Sequence, residues 1–230
     1  MTLFGSKESP LHLAIIENRP DEVKLLIAEG HQPDRPNSYG LTAVDLARFL
    51  GRKQCESQLH TIPQKEILIQ KKGEPQPGVY SPDEFNDLLG VPYFRTLRFR
   101  RYSTLKFVIK NCPYLLRIRT LENWKMGEKY SDELDSGFVA PTSIRWIDDR
   151  IRYGLFAEKD FEEGEWVGEY TGVVREYLRM RPDQNPYCLH YPTRFWSFCY
   201  FMVDALLGGN ETRFANHHDK ANMNPQCLVK

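Results

Sequence analysis

Five cysteines are scattered through 230 residues, at positions 55, 112, 188, 199 and 227, and no two of them stand as C-x-x-C or C-x-C. Neither a disulfide framework nor a structural zinc cluster is indicated, so no metal site is expected and a reducing compartment fits best. Long apolar runs are missing too. No stretch approaches the ~18 residues of a membrane span, and no basic segment followed by an apolar one opens the chain, so no membrane partner is expected. Net charge is absent, with 31 Lys and Arg against 31 Asp and Glu, so no global field draws the chain to nucleic acid. What is present is 41% hydrophobic and 13% aromatic content, enough to build the core of one large or two modest domains.

The first 60 residues contain a repeat. Ser9-Pro10-Leu11-His12-Leu13-Ala14 returns as Thr42-Ala43-Val44-Asp45-Leu46-Ala47, a shift of 33 positions. Ser9 and Thr42 are suited to cap a helix. A second helix is predicted from Asp21 through Ala28, with Val23, Leu25, Leu26 and Ile27 on its apolar stripe and Gly30 as its stop. The period and wording resemble the ankyrin repeat. About two units are visible where a stack needs three or more, so Ser57 to Lys72 or the downstream domain is expected to cover the open end.

Gly73, Pro75, Pro77, Gly78 and Pro82 make residues 72–82 read as a connector and place a boundary nearby. Beyond it, residues 91–120 hold eight Lys or Arg and no acid, interleaved with aromatics, a pattern that can bind nucleic acid. The next fifty residues hold thirteen acids against six bases. Neutralisation by that neighbour is the expected outcome, and direct nucleic-acid binding is not expected.

From Ile147 onward the chain turns to short β-type runs between Gly and charged turns. Arg152-Tyr153-Gly154-Leu155-Phe156-Ala157 is followed by Phe161 through Gly172, containing E-G-E and E-Y-T-G. Then come Val203-Asp204-Ala205, Gly209-Asn210 and Arg213-Phe214-Ala215-Asn216-His217. In order and spacing these words resemble the SET domain of protein lysine methyltransferases, with its G-x-G-[LV]-x-A, E-Y-x-G, [IV]-D-A, G-N and R-F-x-N-H. Together with the ankyrin-like repeat and the Gly- and Pro-rich run, this resemblance gives an expected α+β chain in three parts: ankyrin-like helices at 1–72, a connector and pre-SET-like region at 73–146, and a β-rich SET domain of short strands at 147–230.

It also implies S-adenosyl-L-methionine as cofactor and lysine in a protein, a histone among the candidates, as methyl acceptor. By the same resemblance Tyr153, Gly154 and Leu155 hold the cofactor's amino-acid tail, and Arg213, Phe214, Asn216 and His217 close the other side. Gly154 permits an approach that a Cβ would block. Tyr170 matches the family's channel tyrosine, while Tyr187 and Tyr200 are further substrate-side candidates, since a tyrosine offers a ring to the lysine stem and a hydroxyl to the amine. Arg152 stands where the family has its first glycine, and His218-Asp219 stands where the family has Ser-Cys.

The family's closing word, of the type E-L-x-x-D-Y-G, does not occur in these 230 residues. The expectation is therefore weak transfer by this chain and activity in a longer form. The ankyrin-like part is expected to recruit a protein partner. The rival reading is a non-catalytic ankyrin binding module carrying a degenerate or truncated SET domain. The cysteines point to a reducing compartment, cytoplasm or nucleus, and the resemblance to ankyrin–SET proteins adds a host nucleus for a bacterial secreted protein.

Overall fold

A computed structural model describes residues 8–62, 64–111, 120–177, 185–191, 200–226 and 228. These fall into two compact units, one within 1–63 and 98–111, the other within 64–97 and 112–230.

The first unit is built from two helix pairs. Helix α1 (Pro10–Ile16) and α2 (Pro20–Ala28) are followed by α3 (Ala43–Phe49) and α4 (Lys53–Leu59), whose starts repeat the first two after 33 positions. The caps repeat as well. Ser9 Oγ accepts the amide of His12, and Thr42 forms a reciprocal capping box with Asp45, satisfying amides that the first turn leaves without partners. Asn18 and Gly51, again 33 positions apart, carry the positive φ that turns each pair. Ala14 and Ala47 are fully buried, which lets the helices approach closely. On α2 only Val23 of the predicted stripe is buried, and Leu25 is 64% exposed, because α1 and α4 reach the helix from one side.

The open side of these helices is met by a later segment, β3 (Arg98–Phe99) with α6 (Tyr102–Asn111). Phe99 lies edge-on to Phe49 at 6.0 Å, Arg98 donates to the carbonyl of Arg48, and the Tyr102 hydroxyl donates to Glu8. Of the stretch expected to cover that side, residues 57–59 end α4, and β1 (Ile67–Gln70) belongs to the other unit.

In the second unit, β1 pairs antiparallel with β2 (Gly78–Tyr80) and parallel with β4 (Thr142–Trp146), which pairs antiparallel with β5 (Tyr153–Ala157). Residues 72–80 are thus the turn and second strand of a hairpin, with Gly73 at φ +83, and Pro82 opens the next helix. Helix α5 (Pro82–Leu89) opens with a Ser81–Glu84 capping box and stops at Gly90 in the left-handed region, and α7 (Thr120–Lys129) and α8 (Ser131–Ser136) precede β4. Ile67, Ile69 and Ile144 from the sheet bury Phe85 of α5, Tyr93 and Phe214. A second antiparallel sheet has β8 (Tyr200–Asp204) between β6 (Val173–Tyr177) and β7 (Cys188–Tyr191). Among the described residues no helix is long and apolar enough to cross a membrane.

His12 gives the first unit a pH dependence. Its ring is buried; Nε2 donates to the carbonyl of Leu41 at 3.2 Å, and Nδ1 accepts from Ser9 Oγ at 2.7 Å, a pattern that suits the neutral form. Desolvation by burial holds its pKa below the ordinary value of ~6.5. The unfolded chain therefore takes up this proton at a higher pH than the native one, so the contribution is complete above ~6.5 and is lost as pH falls below it. The unfolding midpoint should drop between pH 7.5 and 5.5, and the drop should narrow in His12→Gln. An equal drop in both chains would remove His12 as its source.

Candidate functional site

The two halves of the motif series, sixty residues apart, meet at β5. The Asn216 amide donates to the carbonyl of Tyr153 at 3.4 Å, and a Cβ placed on Gly154 would lie 2.9 Å from Asn216 Nδ2 and 2.6 Å from Ile147 Cδ1. A residue larger than glycine at 154 would have to displace the ends of these two side chains. Ile147, Ile151 and Phe156 remain exposed in this stretch, at 40%, 47% and 39%. Leu155 pairs with Ile144 in the sheet and packs against its core. The loop that delivers β5 is closed by Asp148, whose side chain accepts from the amides of Arg150 and Ile151. Arg152 takes φ +69 there, the conformation a glycine adopts freely.

A 3-10 turn, Glu211–Phe214, carries the opposite wall. Asn210, 1% exposed, caps it by accepting from Thr212, and both side chains donate to the carbonyl of Glu169. That carbonyl lies beside Tyr170, so the G-N and E-Y words are tied directly. Gly172 completes the tie, since a Cβ there would lie 2.6 Å from the carbonyl oxygen of Asp204. From the turn, Phe214 points into the core, edge-on to Phe85 and Tyr153. The Arg213 guanidinium sits 4.5 Å from the Tyr187 ring centre and 4.9 Å from that of Phe214, and its Nε donates to the carbonyl of Ala205 at 2.9 Å.

The Tyr170 hydroxyl donates to the carbonyl of Tyr187 at 2.9 Å. Burial pushes its pKa up to about 12, opposed by the nearby Arg213 charge, so at neutral pH it keeps its proton and offers only lone pairs to a further partner. Desolvation at the half-buried Glu169 pushes its carboxyl up to about 8. Tyr170, Tyr187 and Arg213 are therefore brought together, as are Tyr153, Gly154 and Asn216. His217 is not: its side chain is 92% exposed, with Asp219 at 3.8 Å as its neighbour. The backbone of Tyr200 pairs with Tyr177 in β8, but its side chain lies outside the described residues.

Sequence reasoning left several members of the site without a role. Asp204 accepts from Arg175, Asn185 and the amide of Leu206, and Asn185 accepts from the amide of Tyr187, so one buried carboxylate steadies the segment that receives the Tyr170 hydroxyl. Its place in the V-D-A word was the available signal. Among the described residues no group of three His, Cys, Asp or Glu is placed to hold a metal ion.

Residues 152–229 match the SET domain. Over 84 residues the chain is 36% identical to the histone-lysine N-methyltransferase EZH2 of Chaetomium thermophilum, a span covering 33% of this chain and 6% of that protein. Over 84 residues it is 34% identical to the H3 lysine-36 specific histone-lysine N-methyltransferase of Candida albicans, covering 34% and 9%. The chain thus spans less than a tenth of the length of these curated relatives. No solved structure matches it. The matched SET segment begins at Arg152 and takes in β5, the E-Y-T-G loop and the 3-10 turn.

Arg152 generates a test of this loop. An exposed arginine held at positive φ stores about 1 kcal/mol that glycine would release, less glycine's extra freedom in the unfolded chain, whereas a β-branched residue would add strain. Denaturant unfolding should show Arg152→Gly equal to the parent or up to ~1 kcal/mol more stable, and Arg152→Val less stable by ~1–2 kcal/mol. The reverse order would mean that the loop does not take this conformation.

Proposed function

We propose that the SET segment binds S-adenosyl-L-methionine against β5 and transfers its methyl group to a lysine of a protein substrate, with histones the first candidates in view of the named relatives. The observation that carries this reading is the meeting of Asn216 with Gly154 and Tyr153. It supplies what a small polar cofactor needs: a backbone approach with no Cβ in the way, an amide, and exposed apolar side chains beside it. When bound, the cofactor supplies an electrophilic methyl on a sulfonium.

The chain's own residues then have to orient an amine and keep water away. Tyr170 suits this task, because its proton is committed to the Tyr187 carbonyl and its lone pairs can accept an N–H from the lysine. Arg213, stacked on Tyr187 and anchored to Ala205, holds that wall in place. Tyr187 lines the same region, and Tyr200 is retained as a further substrate-side candidate. His217 is assigned no contact with the cofactor in the arrangement described. For the first unit, the doubled helix pairs, doubled caps and 33-residue shift support the ankyrin-like reading, and its role is recruitment of a protein partner.

Calorimetric titration of the folded chain with S-adenosyl-L-methionine tests the cofactor, and radiolabelled transfer to mixed histones and to cell extract tests the chemistry. Binding is expected, weakened by roughly 1–3 kcal/mol in Asn216→Ala. Labelling is expected to fall in Tyr170→Phe while cofactor binding is kept. A folded chain that gives no heat at millimolar cofactor would overturn the cofactor assignment. Binding without any labelling would favour the non-catalytic alternative.

A further inference from the structure

The overall charge balance of zero conceals an uneven distribution. Residues 1–63 and 98–111, which contain the first unit, hold twelve Lys and Arg against eight Asp and Glu, and the remaining residues hold nineteen against twenty-three. The surplus comes from the late segment. Arg100 and Arg101 precede α6, Lys106 and Lys110 lie one turn apart on it, and residues 98–111 include no acid. Arg100, Arg101 and Lys110 are exposed, Lys106 stands 4.7 Å from the centre of the Tyr102 ring, and Phe107 among them is 38% exposed.

Within the first unit, none of these four cations makes an ion pair among the described residues. Three acids of the 121–170 stretch pair within the second unit, Asp149 with Lys72, Glu158 with Arg145 and Glu165 with Lys159. The helix that displays the cations is itself fixed, since Leu105 and Val108 are buried and Tyr102 is tied to Glu8. The face is therefore a preformed array of positive charge rather than a flexible tail.

We infer that this face binds the phosphate backbone of duplex nucleic acid. Four cations across a ten-residue helix and its lead-in span about 15 Å, over which a duplex offers one negative charge per ~1.7 Å and releases counterions when neutralised. A carboxylate peptide presents fewer charges over that length and gains correspondingly less. Arg100, Arg101 and Lys110 serve as point contacts to phosphate, so binding is independent of base sequence. This surface lies in the first unit and stands whether or not the SET segment transfers methyl groups.

The full chain should be titrated into a fluorescein-labelled 20-base-pair duplex by anisotropy between 50 and 200 mM KCl. The expected result is binding at low salt with a log–log salt slope of about −3, reflecting three to four phosphates. In the triple variant Arg100→Ala, Arg101→Ala, Lys110→Ala the affinity at 50 mM should fall at least tenfold and the slope flatten towards about −1. Lys24→Ala with Arg35→Ala, exposed cations elsewhere in the unit, should change little. Circular dichroism verifies that each variant is folded. Absence of binding at 50 mM, or a triple variant with the parent's affinity and slope, would overturn the assignment. So would a glutamate-rich peptide of equal charge that displaces the duplex equally well, because the face would then suit an acidic protein.

Discussion

The rest of the second unit depends on the burial of one short turn, Asn210 to Phe214. Polar groups are placed inside protein only when bonded, and here every residue of the turn has an assigned partner. Asn210 and Thr212 hold the carbonyl of Glu169, Arg213 holds that of Ala205, and Glu211 accepts from the Tyr93 hydroxyl at 2.9 Å and pairs with Lys65 at 3.1 Å. Phe214 fills the core of the first sheet. A single five-residue segment thereby fixes the spacing between β5, the Tyr170 loop and the end of β8.

This arrangement explains why the segment before β4 belongs to the site rather than to a linker. Phe94 donates to the carbonyl of Gly209 and Gly209 donates to that of Pro92, while Thr171 caps the carbonyl of Phe94. Glu211 would be a costly buried charge without Lys65 and Tyr93, both of which lie well upstream of the matched SET segment. The SET words therefore stand on a foundation supplied by residues 64–97. A truncation that begins at Ile147 would remove Lys65 and Tyr93 and leave Glu211 without these partners.

The two units differ in how they are stabilised and in the charge they present. The helix pairs rely on local caps and small residues that repeat every 33 residues, together with one buried neutral histidine and the later segment that meets their open side. The second unit relies on contacts between residues far apart in sequence, with a parallel β1–β4 pairing and a turn that gathers three separate segments. Such non-local pairing orders long loops before it is rewarded.

Much was legible from the sequence because it is local or carried by motif order. The helix starts at Ser9 and Thr42, the stop at Gly30, the short strands after Ile147 and the order of the SET words each follow from a few neighbouring residues whose backbone preferences are set by sterics and capping. The grouping of Tyr153 and Gly154 with Asn216 was likewise reachable. Only the tertiary structure decided which way each side chain of the R-F-x-N-H word turns: Phe214 inward to Phe85, Arg213 toward Tyr187, His217 into solvent. A motif specifies residue types, while direction depends on the backbone of a 3-10 turn fixed by Asn210 and Glu169. Likewise, Gly and Pro between 72 and 82 punctuate a hairpin as readily as a linker. Which partner a residue meets across such distances is settled by packing, because charge and turn propensity constrain the chain only over a few residues.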